Sequence, residues 1–258
     1  VSSTQAYLRC PARYRFKYVD RADPAFTKPD TGAAYGRAVH AALEAAFAQH
    51  RYCTAGACDT MALHDNVARA ALEKAWTEEG LSTNGGDLFL AMERLLAALE
   101  ALPAPTPDDI LGVEIRIERA TSGGAAFKGF IDVLLRDGDV LVIIDHKTSS
   151  NVLSEQALTS DYQMNCYAAV LRLMFGWAKR VDLVHHYPNK KIMVRVSASL
   201  DHEADALATF EAAVELIETD TEFAPRPGDQ CGGCEFQQAC PAWTDPVGRE
   251  AQDAMKGF

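Results

Sequence analysis

The chain has 258 residues, with 25 Lys and Arg against 36 Asp and Glu, a formal charge of −11, and 48% hydrophobic residues. This is the composition of a folded chain rather than a disordered one, and its length permits a sizeable core without disulfide staples. No stretch approaches the roughly 18 uninterrupted apolar residues of a membrane span, so no membrane partner is expected. Val1-Ser2-Ser3-Thr4-Gln5 does not read as a secretory signal, which makes the cytoplasm the expected compartment.

The net negative charge excludes a general nucleic-acid coat, but two local segments reverse the sign. Residues 1–30 carry Arg9, Arg13, Arg15, Lys17, Arg21 and Lys28 against Asp20, Asp23 and Asp30. Residues 176–195 carry Lys179, Arg180, Lys190, Lys191 and Arg195 against Asp182. Such segments suit either a phosphate backbone or ordinary solvated faces.

Apolar residues recur at helical spacing over 36–50, 59–77 and 88–102. Pro103, Pro105 and Pro107 then punctuate the chain, and strand chemistry follows over 110–148 and again over 181–196. Between and after these strands, 161–175 and 201–219 read as helices, and Pro225-Arg226-Pro227-Gly228 leads into a Cys-rich tail. The order predicts one α/β domain over 1–258: an N-terminal segment (1–30), a helical lobe (31–109), a core with a mixed sheet (110–200) and a tail (201–258).

The richest segment is a predicted hairpin, 127–135 and 140–148, joined through Asp137-Gly138-Asp139. A turn at Gly138-Asp139 sets Asp132 opposite Asp145, whereas one at Asp137-Gly138 sets it opposite Ile143. Either register puts both carboxylates on one face, and the two-residue strand repeat adds Lys147 to it. Leu141, Val142, Ile143 and Ile144 are apolar on both faces, so this strand is expected to be central and its acids only partly solvated. Two such carboxylates repel, and a hard divalent cation held between them relieves the repulsion.

Gly129-Phe130-Ile131-Asp132 followed by Ile144-Asp145-His146-Lys147-Thr148 resembles the PD-(D/E)xK nuclease superfamily, and within it the RecB branch. The resemblance implies a restriction-endonuclease-like α/β core. It implies a metal-dependent DNA exonuclease acting at single-stranded or free DNA ends, in DNA repair or recombination, phage DNA metabolism or CRISPR adaptation. Mg²⁺ or Mn²⁺ would be bound by His40 of Gly36-Arg37-Ala38-Val39-His40, by Asp132, by Asp145 and by the main-chain carbonyl of His146. The His146 side chain is expected to point to the other face and to matter little. Lys147 would assist the attacking water, and Gln163 and Tyr167, spaced i and i+4 on a helix, would position the strand. Glu114 fits a place near the metal and fits solvent-facing alternation with Arg116 and Glu118 equally well. Glu44 fits a metal pair with His40 or a solvated helix charge.

Cys231, Cys234 and Cys240 are one thiol short of a tetrahedral site, and Cys10 is the natural fourth. A remote N-terminal cysteine with a C-terminal triplet resembles the iron staple of the AddB nuclease domain and the CRISPR-associated RecB-like exonucleases, which implies a [4Fe-4S] cluster. Spacing alone leaves zinc as a rival. Cys53 and Cys58 read as ordinary residues and Cys166 as core. No P-loop occurs, so any helicase action belongs to a partner protein, and the resemblance implies helicase, recombination or CRISPR partner proteins. A different class of reading is a cluster-bearing DNA-binding adaptor with a silent core.

Overall fold

A computed structural model describes residues 1–22, 31–54, 58–82 and 86–244. Asp23, Lys28 and Asp30 of the basic N-terminal segment, and the tail beyond residue 244, lie outside the described residues. Backbone contacts divide the chain into two compact units. One comprises Thr31–Thr121 and Ala126–Leu207; the other comprises Val1–Asp30, Ser122–Ala125 and Ala208–Phe258.

The second unit opens with α1 (Ser2–Arg9) and α2 (Pro11–Tyr14), the latter started by Pro11, whose missing N–H costs nothing at a helix start. The larger unit begins with α3 (Thr31–His50), α4 (Asp65–Glu78) and α5 (Asp87–Ala101). Helix α3 buries a stripe of Ala38, Ala42 and Ala46 beside Val39, Leu43 and Phe47. The i, i+4 repeat fixes this face, and its small residues let α4 and α5 approach closely.

Five strands follow: β1 (Ile110–Ala120), β2 (Ala126–Asp137), β3 (Val140–His146), β4 (Arg180–Tyr187) and β5 (Ile192–Ser197). They lie in that order in one sheet, antiparallel except for the parallel pair β3–β4. That parallel pair requires a crossover, which carries α6 (Glu155–Thr159) and α7 (Tyr162–Met174). The last long helix is α8 (Leu200–Thr219), and a short α9 (Pro241–Thr244) closes the described chain. The mixed sheet and its helices agree with the predicted fold class. The helical starts and stops differ from the sequence reading by a few residues, mainly where residues 61–64 form a 3₁₀ turn before α4.

All seven residues of β3 are buried, as its two-sided apolar run requires. Val140, Val142 and Ile144 join Val133 and Val184 in the core under α3, α4 and α5. Alternation therefore turns Asp145 to the opposite face. On the crossover, Arg172 of α7 makes a two-pronged ion pair with the buried Glu203 of α8, at 2.8 and 2.6 Å.

The basic segment 176–195 proves to be partly consumed by its own fold. Asp182, 3% exposed on β4, accepts bonds from Arg180 Nε (2.9 Å), Arg195 Nε (2.8 Å) and Ser197 Oγ (2.9 Å). Lys179 pairs with Asp139. Burial alone would raise the Asp182 carboxyl, but these donors outweigh it and hold it below its ordinary 3.8. The resulting stabilisation is present above that value and is lost as pH falls through the lower folded one. Replacing Asp182 by Asn should cost about 1.5–3 kcal/mol, as for hydrogen bonds to a charged group. A lower urea midpoint at neutral pH, with the difference from wild type shrinking in acid, is the expected outcome.

Candidate active site

The β2–β3 ladder pairs Asp137 with Val140, Leu134 with Ile143 and Val133 with Ile144. The turn is therefore Gly138-Asp139, with Gly138 at φ 62°, where a side chain is disfavoured. Of the two registers open to the sequence, this is the one that carries Asp132 opposite Asp145, one step beyond the last ladder pair. At that point Asp132 Oδ2 accepts the His146 N–H at 2.7 Å, so the carboxylate substitutes for the next strand contact.

Five elements, α3 and β1 to β4, converge here. Helix α3 brings His40, whose Nδ1 is 3.4 Å from Asp132 Oδ2. Strand β1 brings Glu114, at φ 48°, between the ladder pairs Val113–Val133 and Ile115–Ile131, which sets it opposite Asp132. Ligand atoms of His40, Glu114 and Asp132 all lie within 4.8 Å of one another. Asp145 Oδ2 lies 2.5 Å from Lys147 Nζ and 3.9 Å from Nε2 of the buried His185 on β4.

The electrostatics follow from this crowding. Burial, with Asp132 adding repulsion and Lys147 opposing it, pushes the Asp145 carboxyl up to about 6. Burial and the neighbouring Asp132 and Glu44 push Glu114 up to about 7. Burial works against the charged form of His40, but its bond to Asp132 more than offsets this and raises it above 6.5. Lys147 behaves likewise: burial lowers it, Asp145 raises it further, and it remains an ammonium. Glu114 and His40 thus hold protons to higher pH than usual, while Asp145 stays paired with Lys147, and a divalent cation would relieve the same repulsion. An imidazole nitrogen and carboxylate oxygens are a donor set that suits such an ion.

Glu114 is the residue that sequence reasoning left undecided. Alternation with Arg116 and Glu118 suggested solvent, but Glu114 is half-buried and faces His40 and Asp132. His185 and His186 were missed altogether, because the parallel pairing Asp145 with His185 and His146 with His186 depends on a crossover that leaves no local signal. The His146 side chain, expected to be inconsequential, is 3% exposed. It stacks on Phe47, and its Nδ1 lies 2.9 Å from that of His186. Burial holds His146 at about 3 and His186 at about 4, so both imidazoles are neutral at physiological pH.

Gln163 Nε2 donates to Tyr167 Oη at 3.1 Å, which realises the predicted side-by-side pair. Tyr167 is only 3% exposed, so it braces the site and offers no open ring face. Its ring lies against Gly129, where an added Cβ would fall 2.4 Å from Tyr167 Cε1. In the other unit, Cys10, Cys231, Cys234 and Cys240 are free thiols that line one recess with Arg13, Phe16, Phe236 and Trp243. Arg13 there pairs with Glu235 at 3.0 Å, and Arg15 pairs with Asp20, so part of the basic N-terminal segment is also neutralised. Cys166 is buried in α7, as expected. Cys53 and Cys58 are joined by a disulfide.

The profile of the PD-(D/E)XK nuclease superfamily matches residues 1–241. The chain belongs to that superfamily, whose chemistry is metal-dependent cleavage of nucleic acid. No curated protein matches it. Ten chains of known structure do, among them one titled "Crystal structure of SSO0001", at 16% identity and TM-score 0.38, with 93% of this chain and 84% of that chain covered. No helix among the described residues is long and apolar enough to cross a membrane.

Gly129→Ala should displace Tyr167 and lower stability by about 1–3 kcal/mol, the usual cost of overpacking. Thermal melting reads the loss, and an unchanged midpoint would mean that the ring yields freely.

Proposed function

We propose that the chain is a metal-dependent DNA exonuclease of the RecB-like branch, acting at single-stranded or free ends. The observation that carries this reading is the Lys147–Asp145 ion pair set beside the group His40, Glu114 and Asp132. His40, Glu114, Asp132 and Asp145 would hold Mg²⁺ or Mn²⁺, with the main-chain carbonyl of His146. The bound ion would supply Lewis acidity and a lowered pKa for water.

The chain's own groups account for the remaining roles. Lys147 stays an ammonium while paired with Asp145, so it orients the nucleophile and neutralises charge that develops on the phosphoryl oxygens. Its partly buried setting strengthens both effects by excluding bulk water. His185 stays neutral, lowered to about 4 by burial and by Lys147, and so does not compete for Asp145 as a cation. Gln163, fixed by its bond to Tyr167, stands on the helix beyond Lys147 and positions the strand.

For the second unit we propose a [4Fe-4S] staple on Cys10, Cys231, Cys234 and Cys240, which ties N- and C-terminal segments together. Four free thiols around one recess support it. A cytoplasmic enzyme that works with helicase, recombination or CRISPR partners fits this reading. The alternative is an iron–sulfur DNA-binding adaptor with a silent core, but such a protein has no use for an intact set of Asp132, Asp145 and Lys147.

End-labelled single-stranded DNA incubated with anaerobically purified protein tests the activity. Loss of label should require Mg²⁺ or Mn²⁺, stop with EDTA, and fall on the order of 10²-fold or more in Lys147→Ala. Equal inertness of both proteins, with DNA still bound, would favour the adaptor. Cys10→Ser should lose iron, sulfide and visible absorbance and melt at lower temperature, whereas Lys147→Ala should keep all three. Zinc in place of iron, lost in Cys10→Ser, would assign the staple to zinc.

A further inference from the structure

The disulfide-linked pair Cys53 and Cys58 has neighbours that a disulfide does not require. His50 ends α3 and His64 ends the 3₁₀ turn Met61–His64, and the two are 0% and 5% exposed. His50 Nδ1 lies 2.9 Å from His64 Nε2, and Cys53 Sγ lies 3.7 Å from the same nitrogen. One ligand atom from each of His50, Cys53, Cys58 and His64 lies within 4.8 Å of every other. We propose that, with Cys53 and Cys58 reduced, these four residues form a structural zinc site.

Three features support it. The four donors fall within fifteen residues as His50-x₂-Cys53-x₄-Cys58-x₅-His64, with a Cys-x₄-Cys gap in the range of zinc sites, and Cys₂His₂ is a closed tetrahedral donor set. Zn–N bonds of about 2.0–2.1 Å and Zn–S bonds of about 2.3 Å set tetrahedral edges of roughly 3.3–3.8 Å. The Cys53–His64 separation already matches, and the nitrogen pair needs only a few tenths of an ångström. Finally, His50 Nε2 lies 2.7 Å from the Pro105 carbonyl, which can only accept. His50 therefore carries its proton on Nε2 and turns an unprotonated Nδ1 towards the cluster, as metal-bound histidines do when the other ring N–H donates to a carbonyl that fixes the ring.

Without an ion, the two imidazoles share one hydrogen bond, with Cys53 Sγ making a weaker 3.7 Å contact to His64 Nε2. A two-electron reductant, a thiol or a phosphine, first opens the Cys53–Cys58 disulfide and is itself oxidised; Zn²⁺ then displaces both thiol protons to solvent with no further electron transfer, and all four donors are satisfied. The ion would pin the C-terminal end of α3 to the turn that starts α4. Four protein ligands leave no open position, so its role is structural. This site is independent of the nuclease reading.

The test uses the full-length protein, purified with a phosphine reductant and without chelator, and zinc measured by plasma mass spectrometry. Wild type should carry zinc that survives Cys231→Ser, which disables the staple, and in that Cys231→Ser background zinc should fall at least tenfold on adding His64→Asn or Cys53→Ser/Cys58→Ser. Should those variants fail to fold, Co²⁺ titrated into metal-free, reduced Cys231→Ser protein should produce tetrahedral d–d bands and a thiolate charge-transfer band. Zinc retained when His64→Asn is added to Cys231→Ser, or a reduced Cys231→Ser protein that binds neither Zn²⁺ nor Co²⁺, would overturn the proposal. So would mass mapping that finds Cys53 and Cys58 still disulfide-linked under reductant.

Discussion

Asp132 and Asp145 face each other at the end of a hairpin whose second strand is buried on both sides. Taken from water, such carboxylates repel strongly, and every nearby element answers that repulsion. Helix α3 is registered to bring His40 to Asp132, and the strand end donates the His146 N–H to the same oxygen. Lys147, two residues beyond Asp145, returns its ammonium to it. Glu114 adds a third carboxyl; burial first, and then the neighbouring Asp132, hold its proton and that of Asp145 above ordinary values. A pocket that retains protons in this way is poised to exchange them for a divalent ion.

Elsewhere the chain places its charges differently. Arg180 and Arg195 fold onto Asp182, Arg172 onto Glu203, and Arg13 onto Glu235. These pairs stiffen β4, the α7–α8 contact and the cysteine-lined recess. They also remove several bases from any phosphate-binding surface, so local charge counts overstate the positive field that a nucleic acid would meet.

Much of the fold was legible because its signals are local. The alanine stripe of α3, the β-branched runs and the glycine turn at Gly138 each act over a few residues, and they located the elements to within a few positions. The Asp145-x-Lys147 face followed from strand periodicity alone. What stayed hidden depends on long-range registration. The place of Glu114 beside His40 and Asp132 decides between the two readings that β1 left open, and the parallel pairing of β3 with β4 seats His185 and His186 beside the site. The burial of His146 against Phe47 needs the position of α3. The relation of Cys53 and Cys58 to His50 and His64 was readable as spacing, but the gap between the cysteines alone gave no reason to include the histidines.

The most direct measurement is a calorimetric titration of Mn²⁺ into the wild-type chain and into Asp132→Asn, after the zinc and iron contents of both have been matched. The account predicts a saturable Mn²⁺ site in wild type, proton release on binding near neutral pH, and loss of both in the variant. Equal Mn²⁺ binding by the two proteins, or no binding by wild type, would contradict a metal centre built on Asp132.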